Sequence, residues 1–154
     1  MSAYSDALRM LGRREHSAAE IRSRLLDRYH TPQDTDAAIA RLLETRALDD
    51  RRVASAYART ASNIKGRGRL RVERELQAMG ISREVATEAI AEVFGDLDER
   101  AQIDKAIQKK LRGGKNMVTL QQRARVYQFL MRQGFPPAAV SAALRRKGAS
   151  ETGE

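Results

Sequence analysis

The sequence predicts an all-α protein, a tandem array of three three-helix repeats that forms an elongated, curved molecule. Two observations lead to this prediction. A short segment recurs about every fifty residues, and hydrophobic residues recur at the three- and four-residue spacing of helices. The chain of 154 residues contains no alternating strand pattern and no Asn-Gly or Asp-Gly turn, so a β-sheet is not expected.

The recurring segment is clearest in its second and third copies. Residues 76–90 have the sequence LQAMGISREVATEAI, and residues 130–144 have the sequence LMRQGFPPAAVSAAL. The two copies align without a gap, glycine over glycine. An earlier and weaker copy at residues 25–39, LLDRYHTPQDTDAAI, has Tyr29 at the glycine position. Such an array presents an extended surface and no obvious deep pocket, which favours docking to a partner over catalysis.

The first repeat is predicted to span residues 1–48 and to contain three helices. The first helix covers residues 4–14, Ser17 begins the second in a capping box with Glu20, and Thr31 caps the third. Helical spacing assigns an inward face to each of them. The predicted inward residues are Ala7, Leu8, Leu11, Ile21, Leu25, Ile39, Leu42 and Leu43.

The second repeat is predicted to span residues 49–95. The acidic pair Asp49-Asp50 is placed to cap its first helix, Gly80 to end its second in a left-handed conformation, and Ser82 to begin its third. Capping is a better interpretation of the acidic pair than metal binding. The predicted inward residues are Val53, Ala54, Tyr57, Ala58, Ala61, Val72, Leu76, Met79, Val85, Ala86, Ala89, Ile90 and Val93.

The third repeat is predicted to span residues 96–148. Asp96 and Glu99 have the spacing of a capping box, residues 112–118 form a loop, and Thr119 with Gln122 starts the next helix. The predicted inward residues are Ile103, Ile107, Leu111, Leu120, Ala124, Tyr127 and Leu130.

The last helix is predicted to end near Lys147, with a frayed tail over residues 149–154. Arg145 and Arg146 precede that lysine, and cations in a final helical turn interact favourably with the helix dipole. A binding role for this cluster is the alternative.

Composition narrows the class of function. Lysine and arginine exceed aspartate and glutamate by 29 to 20, a net charge of +9, which favours polyanions or acidic protein surfaces as partners. The chain has no cysteine, and His16 and His30 are isolated, so no thiolate or metal-ligand pattern exists; both histidines are expected at the surface or at helix ends. No apolar run of about 20 residues and no signal peptide is present, so a cytoplasmic protein without a membrane span is expected. No cofactor is expected either.

Basic residues cluster in two candidate binding segments. In the first, Arg67, Arg71 and Arg74 have helical spacing, and the turn over residues 65–68 lets the backbone approach a partner beside a helix amino end. The second lies around a glycine pair at residues 113–114. The predicted binding residues are Lys65, Arg67, Arg69, Arg71, Arg74, Lys109, Lys110, Arg112 and Lys115.

Each of these features has a plainer interpretation. The arginine face is also what a solvated helix looks like, the glycines also suit a tight turn, and the second segment is also compatible with a simple connection. The aromatic residues are better explained by core packing than by stacking on bases. A metal nuclease built from Asp49, Asp50 and Glu73 is the weakest hypothesis, because the sequence gives no sign that these residues converge.

Several motifs together resemble the RecX family of bacterial recombinase regulators, over nearly the whole chain. They are Leu48-Asp49-Asp50, Val53-Ala54, Tyr57, Lys65-Gly66-Arg67-Gly68, Glu75-Leu76, Gly80-Ile81, Phe129-Leu130 and Gly134-Phe135. The resemblance implies tandem three-helix repeats that bind the RecA recombinase filament and usually inhibit it, and it also implies that DNA can be bound. The first repeat departs most, with Tyr29-His30 where the others have glycine and an apolar residue.

The resulting hypothesis is a monomeric, non-enzymatic regulator. It binds the RecA filament and modulates, mainly by inhibition, the ATPase, strand-exchange and coprotease activities. The alternative is a basic helical protein that binds single- or double-stranded DNA independently of a recombinase, and a generic interaction scaffold comes third.

Overall fold

The computed structural model describes residues 1–111 and 119–152. Within these residues the chain is helical and contains no strand. The helices are α1 (Ala3–Arg13), α2 (Ala18–Asp27), α3 (Pro32–Glu44), α4 (Asp50–Asn63), α5 (Arg69–Ala78), α6 (Arg83–Phe94), α7 (Glu99–Leu111), α8 (Leu120–Gln133) and α9 (Pro137–Thr152).

The helices belong to two compact units. The first unit comprises Met1–Tyr57 and Glu75–Ala89, and the second comprises Ala58–Arg74 and the chain from Ile90 onward. In the first unit α1, α2 and α3 pack against one another, and in the second α7, α8 and α9 do so. The helices α4, α5 and α6 each supply residues to both units.

The core of the first unit differs in part from the predicted one. Leu8 and Leu43, both predicted to face inward, are 41% and 47% exposed. Met10 and Ala38 are buried instead, because they continue the helical spacing of Ala7 and Leu42 more closely. The buried cluster is Ala3, Ala7, Met10, Ile21, Leu25, Ala38, Leu42 and Leu48.

The inward face of α8 in the second unit was also mispredicted. Leu120 is 85% exposed, and the buried apolar residues of this helix are Val126 and Leu130. Arg123 lies on the same helical face as these two, and its Nη2 donates to the carbonyl of Leu144 at 2.9 Å. A search for apolar stripes misses this face because an arginine occupies part of it. The buried cluster is Ile103, Ile107, Val126, Leu130, Phe135, Val140, Ala143 and Leu144.

The predicted helix starts are confirmed with one exception. Ser17 and Thr119 both complete capping boxes, and Thr31 accepts a hydrogen bond from the N–H of Asp34 at 3.0 Å. The exception is α7, whose cap is Asp98 rather than Asp96: the Asp98 carboxylate accepts from the N–H of Ala101 at 3.1 Å. The cap must stand directly before the first helical residue, and α7 begins at Glu99.

The last helix continues to Thr152, beyond the predicted end at Lys147. The cationic residues before Gly148 therefore do not form the final turn, and the dipole argument for them fails. Arg146 instead lies 3.7 Å from the carboxylate of Asp104.

The three repeats end their middle helices with the same backbone turn. In each, the N–H of one residue donates to the carbonyl of a leucine five residues earlier, as in a Schellman motif. The residue before that donor has a positive φ angle in all three turns. The three donor and acceptor pairs are His30 and Leu25 at 3.2 Å, Ile81 and Leu76 at 3.2 Å, and Phe135 and Leu130 at 3.3 Å.

Both histidines lie at helix ends, one of the two locations that the sequence suggested: His16 directly before the cap of α2, and His30 directly before the cap of α3. His16 is only 4% exposed, and its Nδ1 lies 2.9 Å from the carbonyl oxygen of Arg14. His30 Nε2 lies 2.8 Å from Asp6, whose carboxylate also accepts from Arg28 at 3.1 Å. The hydrogen bond from His30 and the nearby Arg28 guanidinium hold the pKa of Asp6 below its usual range. Both histidines are therefore tied into the first unit.

Candidate functional site

The second unit contains a groove of about 630 Å³ that is lined by lysine side chains. It lies where the carboxyl end of α4 and the turn after it meet α7 and α8. The lysines are Lys65, Lys105, Lys109 and Lys110. The structure thus brings together residues from both basic segments that the sequence predicted. We call this feature the lysine groove.

Helix α7 supplies most of the charge of the lysine groove. Its buried side is formed by Ile103 and Ile107, and Lys105 and Lys109 are exposed and four residues apart, so they follow one another along the helix. Lys109 and Lys110 occupy the last turn, where the helix dipole favours cations. Sequence reasoning missed Lys105, although its spacing from Lys109 was a usable signal.

The groove also has an apolar part. Ile64, Leu97, Ala106 and Phe129 line it, and the side chain of Ile64 is 76% exposed. The ammonium of Lys110 lies over the ring of Phe129, 5.0 Å from its centroid, in a cation–π contact. The groove therefore combines cationic surface, which attracts anionic groups, with apolar surface that a ligand can bury.

Gln133 of α8 fixes the turn that carries Lys65. Its Nε2 donates to the carbonyl of Lys65 at 3.0 Å and to that of Gly66 at 3.1 Å. Gly66 has a φ angle of 65°, in the left-handed region that favours glycine. The position of Lys65 therefore depends on a side chain from the third repeat.

The glycine turn before α5 serves packing inside the unit. The N–H of Gly68 donates to the Gln133 carbonyl at 2.8 Å, and the N–H of Leu70 donates to the Gly134 carbonyl at 3.0 Å. A Cβ atom on Gly68 would lie 2.5 Å from that Gly134 carbonyl, so glycine is needed for this close approach. These two N–H groups are therefore not available to an anion, because backbone carbonyls already accept from them.

The predicted arginine face is likewise not one open surface. Arg67 precedes α5 and is half-buried, and Arg71 is half-buried with its Nη1 donating to Gln133 at 3.4 Å. Arg69 forms an ion pair with Glu99 at 3.2 Å. Arg74 is exposed.

The remaining residues are two predicted binding residues and the acidic pair that was considered as a metal site. Arg112 and Lys115 lie outside the described residues. Asp49 caps α4 by accepting from the N–H groups of Arg51 and Arg52 at 3.1 and 3.2 Å. Asp50 accepts from the N–H of Ala18 at 2.9 Å. Within residues 1–111 and 119–152, no cluster of acidic and histidine side chains has the arrangement of a metal site.

A search of the described helices for a membrane span found none with the required length and apolar character.

Family models match each repeat of the chain. Residues 3–42 match the first three-helix domain of RecX, residues 49–90 the second, and residues 98–144 the third. The prediction of an all-α fold made of three repeats is confirmed, and so is the family resemblance.

Individual RecX proteins are also similar to this chain. The chain is 34% identical to the regulatory protein RecX of Xanthomonas axonopodis pv. citri over 139 residues, which is 90% of this chain and 83% of that protein. It is 29% identical to the regulatory protein RecX of Pelodictyon phaeoclathratiforme over 143 residues, covering 93% and 87% of the two chains. The crystal structure of RecX from Lactobacillus salivarius has the same fold, with a TM-score of 0.79 at 19% identity over 95% of this chain and 94% of that one.

Proposed function

Because the chain belongs to the RecX family of regulatory proteins, we propose that it regulates the RecA recombinase by binding the RecA filament. The expected effect is inhibition of ATP hydrolysis, strand exchange and coprotease activity. Regulation through binding needs only a complementary surface and no catalytic residue. The protein acts in the cytoplasm as a monomer.

The lysine groove is the observation that supports the proposal most. Cations from two separate segments of the chain line a single concave surface, together with apolar side chains. Such a surface attracts an acidic partner at long range and retains it by burying apolar area once contact is made. The +9 net charge of the chain adds to the long-range attraction.

Inhibition follows if the bound chain occupies a surface that the working filament needs. Strand exchange requires partner DNA to reach the filament, and ATP turnover is coupled to rearrangement between subunits. A ligand that binds one filament state better than another shifts the population toward that state, by no more than its difference in affinity for the two.

Direct DNA binding without a recombinase is the second candidate, because ammonium groups also bind phosphate. The dependence of binding affinity on salt concentration distinguishes DNA binding from docking to the RecA filament. For a phosphate-dominated binder, the logarithm of affinity falls with that of salt concentration at a slope of about 0.9 per phosphate neutralised. The affinity of protein docking that includes an apolar contribution falls less steeply with salt concentration.

The test of the proposal measures RecA-dependent ATP hydrolysis and strand exchange with and without this protein, on preformed filaments and during assembly. We expect both activities to decrease as the protein is added. Unchanged rates at concentrations that saturate binding to naked DNA would favour the second candidate instead.

A further inference from the structure

The lysine groove has features that distinguish one kind of acidic ligand from another. We propose that it binds an acidic peptide segment of a RecA subunit, with an apolar side chain of that segment seated beside Ile64 and Phe129. This inference rests on the proposed function and names the ligand chemistry of the same site.

The positive charge of the groove favours an anionic ligand. Its four lysines come from the turn after α4 and from α7, and no carboxylate is found among its lining residues in the described part of the chain. Lysines held together without a counter-charge repel one another, and a ligand bearing several carboxylates relieves that repulsion. Exposed lysines pay little desolvation when they meet such a ligand at the rim.

The apolar wall favours a peptide over a nucleic-acid strand. Ile64 extends into solvent, and Leu97 and Ala106 continue the apolar surface. A sugar-phosphate backbone has no aliphatic side chain to bury there. A base would have to stack on Phe129, and the Lys110 ammonium already covers a face of that ring.

The test uses the full chain and overlapping synthetic peptides that cover the RecA sequence, with binding followed by fluorescence anisotropy. The same protein is titrated with assembled RecA filaments and with oligodeoxythymidylate. The groove variant is Lys105→Glu with Lys109→Glu. The matched control is Arg100→Glu with Arg125→Glu, which makes the same change in charge at exposed residues of the same unit that do not line the groove. Thermal unfolding confirms that each variant is folded.

We expect at least one acidic RecA peptide to bind. The groove variant should weaken it by about tenfold or more and the control by much less. Ile64→Ser removes exposed apolar surface and leaves the net charge unchanged. It should therefore weaken peptide binding by about fivefold. Oligonucleotide binding should not respond to Ile64→Ser.

Three results would overturn the inference. Filament binding without any groove-dependent acidic peptide would refute it and leave the proposed function intact. Groove-dependent binding of the oligonucleotide alone would assign the groove to nucleic acid. Absence of both filament and peptide binding would refute the proposed function together with the inference.

Discussion

Tyr29 has the same left-handed backbone conformation as Gly80, with φ angles of 69° and 80°. Each residue ends the middle helix of its repeat and precedes an N–H that donates to a leucine carbonyl at 3.2 Å. A residue with a Cβ atom is destabilised in this conformation by about 1–2 kcal/mol. The Tyr29 side chain is 95% exposed, so little burial offsets that cost.

The first prediction concerns this turn. Tyr29→Gly should raise the free energy of unfolding by up to about 1 kcal/mol, because relief of the strained φ angle exceeds the entropy that glycine loses on folding. Gly80→Ala is the matched opposite and should destabilise, since its Cβ would be strained and would collide with the Cβ of Ala19. Urea titration measures both. A Tyr29→Gly variant less stable than the parent would mean that the tyrosine stabilises the fold through its side chain.

The second prediction concerns the contact between the turn before α5 and the turn after α8. Gly68→Ala should lower the free energy of unfolding by about 1–3 kcal/mol, because the added carbon would lie against the Gly134 backbone, which cannot move aside as a flexible side chain would. Gly12→Ala is the control, since nothing lies within 4 Å of its Cβ position and alanine favours the helix. Equal stability of the two variants would contradict the close packing of the two turns.

The third prediction concerns the repeat leucines. Leu76 is fully buried and Leu43 is half-exposed, at 0% and 47%. Leu76→Ala should therefore cost about 2–5 kcal/mol of unfolding free energy, and Leu43→Ala much less. Denaturant titration of both variants measures these changes. A similar decrease in unfolding free energy for the two variants would mean that Leu76 is not a core residue.

The fourth prediction concerns pH. Burial lowers the pKa of His16 below its ordinary value of 6.5. The unfolded chain therefore takes up the proton first, so the stability contribution is complete above about pH 6.5 and is lost as the pH falls through the lower pKa of the folded state. His16→Gln should reduce the decrease in unfolding free energy between about pH 7 and 5. Urea titrations at several pH values measure that decrease, and an unchanged decrease would mean that another group causes it.

Local signals were predictable from the sequence. The turns after Leu76 and Leu130 follow from the spacing between a leucine and a glycine, and this signal does not depend on tertiary contacts. The matching turn after Leu25 was not predicted, because Tyr29 stands at the glycine position. Helix caps are similarly local. The cap of α7 was predicted at Asp96 but is Asp98, because the predicted helix start was slightly displaced and helix boundaries are poorly specified by sequence.

Nonlocal features were not predictable. The inward face of α8 includes Arg123, whose partner is a carbonyl of α9. The lysine groove was half predicted: charge clustering pointed to Lys65, Lys109 and Lys110, but the meeting of these residues with Phe129 depends on how α7 and α8 pack. Arg71 was predicted on one open face with Arg67 and Arg74, but it is half-buried and its partner Gln133 comes from a distant segment of the chain.

Inhibition of RecA-dependent ATP hydrolysis by the groove variant tests the central claim most directly. The account predicts that Lys105→Glu with Lys109→Glu raises the concentration needed for half-maximal inhibition by about tenfold or more. The control Arg100→Glu with Arg125→Glu, equal in net charge, should inhibit nearly as well as the parent. A folded groove variant that inhibits as strongly as the control would contradict the claim that this groove contacts the recombinase.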